Sequence, residues 1–189
     1  TPAFLFFMAV GMLFGIGGTS LISRMLGEGN GDKAKNTSSF CFWTGLFIGI
    51  FAMILIWIFV TPICRVIGAS DDTLDYATQY LRIVAIGIPF LIVGNSFSNI
   101  IRAEGHAKTA MMGMIIGNMM NIILDPVMIL GFGWNVAGAA VATVIGNIGA
   151  ALFYGYHLLS KNTTLSIHLR DYRAGRGIAM GVFAIGIPA

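Results

Sequence analysis

The sequence predicts an all-α integral membrane protein, a polytopic helical bundle, and three observations carry that prediction. Apolar runs near or above the roughly 18–20 residues needed to cross a bilayer recur along the whole length. Composition agrees: 57% of the 189 residues are hydrophobic and 10% charged, against about 45–50% and 25% in soluble domains, and mean hydropathy is +0.84. The third observation is the placement of charge. Glu28, Asp32, Asp71, Asp72, Asp75, Glu104 and Asp171 lie in short polar stretches between the runs, and of the 8 acidic residues only Asp125 sits inside one.

Spans are expected at about 2–23, 38–61, 78–101, 109–131 and 136–159, with a sixth beginning near 177. Each is one helix, which satisfies its own backbone groups as hydrocarbon demands. The connections carry the turn signals: RMLGEGNGDKAKNTS, TPICRVIGASDDTLDYA, RAEGHAKT, the very short GFGWN, and SKNTTLSIHLRDYRAGR. Arg24, Lys33, Lys35, Arg102, Lys108, Lys161, Arg170, Arg173 and Arg176 fall in the first, third and fifth. The remaining two of the 11 basic residues, Arg65 and Arg82, fall in or beside the second. By the positive-inside rule, loops 24–37, 102–108 and 160–176 are cytoplasmic, in a multi-pass protein of the cell membrane.

Several classes are set aside on the same grounds. The net charge of +3 is a topology signal spread over loops, not a nucleic-acid surface. Thr1 opens within a hydrophobic stretch and Ala189 closes within another, so a fragment of a larger membrane protein is expected. The first run lacks a basic flank and a small-residue cleavage site, so it is not a signal peptide. Cys41 and Cys64 fall at opposite ends of one span, about 30 Å apart at helical rise, beyond disulfide reach. GIGGTS and GEGNGDK follow no strand and lack the Lys-Ser/Thr ending of a phosphate loop. They read as close helix packing and a plain turn. His106, His157 and His168 lie in loops or at a helix end without a ligand cluster, so no metal centre is expected beyond Na⁺ at Asp125. No nucleophile–base pair marks an enzyme.

Asp125 concentrates the chemistry. A carboxylate costs about 2.5–3.5 kcal/mol at the centre of a membrane helix, and such residues face protein or water along ion or proton pathways. The competing reading is a hydrogen-bonding group that holds a neighbouring helix, a task Asn or Ser performs at lower cost. Asn121 shares its face one turn earlier. Pro126 lacks an N–H and should free a carbonyl near Leu124 or Ile122. These are hard oxygen ligands, suited to H⁺ or a small cation. Asp125 lies about 9 Å from the Gly131 end, in the outer half of the membrane. After the tight turn, Thr143 on the next helix should lie at the same depth, with Asn147 one turn on; back-bonding and interhelical contact are the bland readings of these two. Asn95 and Asn99 form another i, i+4 pair near Ser96 and Ser98. Three helices offering such pairs point to a shared cavity. The Met cluster around Met114 reads as lipid-facing filler or as a pliable lining. Gly11, Gly15 and Gly18, and the set Gly138, Ala139, Ala142 and Gly146, form small faces for close helix approach.

GIGGTSLISRMLGEGNGDKA, RAEGHAKTAMMGMIIGNMMNIILDPVMI, GWNVAGAAVATVIGN and the closing IGIPA together resemble the MATE family, the multidrug and toxic compound extrusion transporters. The resemblance covers essentially the whole chain. It implies a twelve-helix, two-lobe transporter, of which residues 1–176 hold helices two to six and the interlobe loop, and 177–189 the start of helix seven. IGIPF at 86–90 echoes IGIPA at 185–189, as a repeat would. The family exports bulky, often cationic drugs in exchange for Na⁺ or H⁺ and needs no cofactor. On this resemblance Asn121, Asp125 and Thr143 are ion-coupling residues. Asn95, Asn99, Asn147 and Met114 are assigned to the substrate cavity. The implied partners are organic cations, the bilayer, and helix one and the second lobe of the same chain. A lipid-linked saccharide flippase of the same superfamily and an inactive truncated product are the alternatives.

Overall fold

A computed structural model of the protein describes residues 2–68, 70, 72–160, 163–171 and 176–186. Among them run seven α-helices: α1 (Pro2–Gly27), α2 (Gly31–Ile58), α3 (Val60–Val66), α4 (Leu74–Ala103), α5 (Ala107–Pro126), α6 (Asn135–Leu159) and α7 (Arg176–Gly186). Five stretches are long and apolar enough to cross a bilayer: Ala9–Gly27, Gly31–Ile58, Leu74–Ala103, Ala107–Gly131 and Val136–Leu159. The all-α membrane bundle expected from the sequence is the fold observed.

Three boundaries differ from expectation. α2 and α4 start one to two turns early, where Asp32 and Asp75 occupy their first turns and complement the positive end of the helix dipole. The short α3 falls inside a stretch expected to be a connection. Its Pro62 sits in the first turn, where a missing N–H costs nothing. The expected 109–131 span does not continue as one α-helix. It becomes a wider π-helical turn at Val127–Gly131, directly after Pro126. The Val127 N–H donates to the Leu124 carbonyl, so that acceptor is not free, contrary to one of the two carbonyls proposed.

α4 is the central helix. Of its most apolar window 61% is buried, against 6% for α5; α1, α2, α5 and α6 all pack on it. It gives Ile92, Phe97, Ile100 and Ile101 to the core, and its Ser96 donates to the Gly11 carbonyl of α1 at 3.0 Å. The small faces work as expected. A Cβ on Gly146 would stand 2.7 Å from the Gly117 carbonyl oxygen, and one on Gly11 3.1 Å from Asn95 Cβ. Small residues at such crossings let membrane helices approach by backbone. Cys41 and Cys64 are free and buried.

Two helix ends repeat one device. Gly29 (φ +73°) and Gly105 (φ +94°) adopt left-handed conformations. The N–H groups that follow, on Asn30 and His106, reach back to the Met25 and Ile101 carbonyls. This is the Schellman stop, which needs a residue without a Cβ penalty. The second turn brings α5 back beside α6.

Beyond α6 the described part of the expected loop, 163–171, is pinned. Ser39 donates to the His168 carbonyl at 2.8 Å and Trp43 to that of Ile167 at 3.1 Å, and Leu165 is buried. α7 then packs along α1, with Val182 buried and the Phe14 and Phe183 rings 5.7 Å apart.

Candidate functional site

α4, α5 and α6 line a half-open cavity of about 350 Å³. Its polar wall comes from Asn95 and Ser98 on α4, Asn118 and Asn121 on α5, and Thr143 and Asn147 on α6, with Met114 and Tyr154 beside them. The spacings are one or two helical turns, so each helix offers one face. Gly94, Gly117 and Gly146 also line it; a side chain on Gly94 would meet nothing within 4 Å, whereas Gly117 and Gly146 lie where α5 and α6 approach by backbone.

Asn121 Nδ2 donates to Thr143 Oγ1 at 3.3 Å, and the Thr143 hydroxyl donates to the Ala139 carbonyl at 2.9 Å. Two polar atoms nearby lack partners. Asn95 Nδ2 and Asp125 Oδ1 are both buried from solvent with no hydrogen bond. Asp125 lies one turn beyond Asn121, half-buried, and is not among the lining residues. A buried polar atom left without a partner costs about 1–3 kcal/mol. Such exceptions in a native fold call for an occupant or a strain reservoir.

Of the seven residues singled out from the sequence, Asn95, Asn121, Thr143, Asn147 and Met114 meet at the cavity. Asn99 does not. Its amide donates to the Asn95 carbonyl at 3.1 Å and packs beside Gly15 of α1, so it belongs to the α1–α4 seam. Asp125 makes no hydrogen bond to Thr143; Asn121 takes that place. Sequence reading missed Asn118, three residues before Asn121 on the same face, and Tyr154, whose hydroxyl donates to the Ala110 carbonyl at 2.8 Å. The 3.6-residue period extended one turn each way from Asn121 would have found the first.

A second cluster was missed altogether. Glu104, His106 and His157 converge where the α4–α5 turn meets the end of α6, their ligand-type atoms all within 4.8 Å of one another. The expectation that the histidines stand apart from any carboxylate is therefore corrected. Glu104 also binds the segment after α6, accepting from both Thr163 and Thr164. Burial alone would raise its carboxyl, but these bonds and that from His106 outweigh it and hold the group below its usual value of 4.5.

Bilayer-length helices around an amide-rich cavity, with an unpaired carboxylate oxygen beside it, define a polytopic membrane protein with a polar site among its helices. The chain belongs to the MatE family, whose model matches residues 1–127. It is 35% identical over 188 residues to the multidrug export protein MepA of Staphylococcus aureus (strain NCTC 8325 / PS 47). To the protein of the same name from Staphylococcus saprophyticus it is 38% identical over 189 residues. Each alignment covers 100% of this chain and 42% of the relative. Among solved structures it resembles the inward-facing conformation of a multidrug resistance MATE family transporter of the MOP superfamily. That match has a TM-score of 0.93 at 30% identity, covering 100% of this chain and 43% of the other. An outward-facing conformation of such a transporter matches with TM-score 0.91 at 31% identity, covering 99% and 42%.

Proposed function

We propose that the protein forms part of a cation-coupled multidrug antiporter that exports bulky, often cationic compounds across the cell membrane. Residues 1–176 belong to the first of two lobes and 177–189 open the second, with loops 24–37, 102–108 and 160–176 in the cytoplasm. The observation that carries this reading is the buried, partnerless Asp125 Oδ1 one turn from the hydrogen-bonded Asn121–Thr143 pair. Na⁺ or H⁺ arriving from outside neutralises Asp125. The loss of that charge reshapes the α4–α6 cavity and releases the drug outward. Each inward charge draws about 2.3 kcal/mol per 100 mV from the membrane potential.

The cavity chemistry supports the substrate class. Amides orient a ligand without fixing its shape, and Met114 offers a pliable polarizable surface. Among the described residues no Lys or Arg lines the cavity, which disfavours the pyrophosphate of a lipid-linked saccharide. The nearly equal likeness to inward- and outward-facing structures supports a lobe that moves as one body during alternating access.

The test is dye efflux by the full-length protein in vesicles, with ΔpH and ΔNa⁺ imposed separately. Asp125→Asn should reduce ethidium efflux to background while membrane insertion is retained. Wild-type rates in that variant would overturn the proposal, and the gradient that drives the wild type identifies the ion.

A further inference from the structure

We infer that Glu104, His106 and His157 form a binding site for a first-row divalent metal of the Zn²⁺ type, separate from the α4–α6 cavity. The turn after α4 places Glu104 and His106 two residues apart around Gly105, whose φ of +94° folds the two side chains toward one point. α6 delivers His157 to the same point in its last turn.

The distances fit tetrahedral coordination. Ligand atoms about 2.0–2.1 Å from zinc stand about 3.3 Å apart along a tetrahedral edge. Glu104 Oε2 and His106 Nδ1 are already 3.3 Å apart. The third ligand atom lies within 4.8 Å of the others, so it needs to close by at most about 1.5 Å, within reach of a side-chain rotation. The His106 and His157 rings meet edge to face at 5.2 Å.

A hydrogen-bonded clasp accounts for Glu104 and His106 but not for the third member. His157 Nε2 is buried and has no hydrogen-bond partner. Two imidazoles and a carboxylate exclude Ca²⁺ and Mg²⁺, which take oxygen ligands, and suit zinc and its neighbours. The Glu104 side chain is 5% exposed, and its Oε1 is fixed by the Thr163 hydroxyl and by the Thr164 N–H and hydroxyl. The Thr163 hydroxyl also reaches Oε2 at 2.7 Å; such outer partners orient a metal-binding carboxylate, and Oε2, which faces His106 Nδ1, has a second lone pair for the metal. His106 is 41% exposed, which gives the ion an entry path and leaves a fourth position for water. Metal binding here joins the α4–α5 turn, the end of α6 and the 163–164 segment through one ion.

The untagged protein, purified in detergent and stripped with EDTA, is titrated with ZnCl₂ by calorimetry and with CoCl₂ by visible absorption. One Zn²⁺ per chain and the intense d–d bands of tetrahedral Co²⁺ are expected. His106→Ala and His157→Ala should each weaken zinc binding by about 100-fold or more, since loss of a mere outer partner already costs 10–100-fold. His168→Ala should change nothing. The wild-type cobalt spectrum needs no variant, so a pale octahedral spectrum, or none, overturns the inference even if a histidine variant fails to fold. Unchanged zinc affinity in either folded histidine variant overturns it as well.

Discussion

Asp125 and Glu104 are both partly buried acids at the ends of the same three-helix group, and the fold treats them in opposite ways. Glu104 accepts from two threonine hydroxyls, a backbone N–H and an imidazole. Asp125 keeps an oxygen buried and bare. A carboxylate engaged by several donors is held in its charged form and fixes the elements around it. One left bare costs free energy that an arriving proton, cation or other donor recovers. The difference separates an acid that fastens the structure from one kept available, and on our proposal the available one does the coupling.

The largest expected effect is a crossed pair of outcomes. Asp125→Asn abolishes efflux yet leaves thermal stability equal or higher by about 1 kcal/mol, because an unpaired buried charge becomes a neutral amide. Glu104→Gln does the reverse. Its new NH₂ faces donors and one charged acceptor is lost, so stability falls by about 2 kcal/mol and the 163–171 segment becomes sensitive to protease. Thermal unfolding in detergent beside vesicle efflux reads both. If Asp125→Asn destabilises as much as Glu104→Gln, the bare oxygen is a structural contact after all and the contrast fails.

Glu104 also sets a smaller, pH-dependent effect. Its folded carboxyl lies below the ordinary 4.5, so the folded state holds the proton less readily than the unfolded chain. The stabilisation is therefore fully present above 4.5 and is lost as pH falls from there through the folded value. Protease release of the 163–171 segment should rise only in that acid window, and the rise should vanish in Glu104→Gln. A rise centred near neutral pH would assign the fastening to the histidines instead.

Much of this contrast was legible in the sequence for Asp125 and almost none of it for Glu104. Asp125 stands out because it interrupts an apolar run, and its neighbours Asn121 and Thr143 follow from helical period and a short turn. The spans were legible for the same reason: hydrocarbon imposes length and period on each one. Glu104 lies in RAEGHAKT among other polar residues, where an acid is unremarkable. Its partners Thr163, Thr164 and His157 stand more than 50 positions away, brought in by the path of the chain after α6. Asn99 shows the opposite error. Its i, i+4 relation to Asn95 is real, but the face bearing Asn99 is turned to Gly15 of α1, and local period cannot say which neighbour a polar face meets. The π turn after Pro126 was likewise out of reach, because proline announces a disturbance without specifying how the next turn absorbs it.

The smallest effect tests whether bare polar atoms in the cavity follow the rule drawn from Asp125. Asn95 Nδ2 has no partner, whereas Asn121 Nδ2 holds Thr143. Truncating Asn121 to Ala removes a formed bond and should cost about 1 kcal/mol. Asn95→Ala removes an amide that bonds nothing through its nitrogen, so stability should move by no more than about 0.5 kcal/mol. Its effect should appear in drug affinity, as a few-fold change that differs among substrates because each offers that donor a different acceptor. Paired thermal unfolding and dye-competition measurements on the two variants separate the roles. Equal losses of stability would mean that Asn95, like Asn121, is held by the fold, and that the rule drawn from Asp125 does not extend into the cavity beside it.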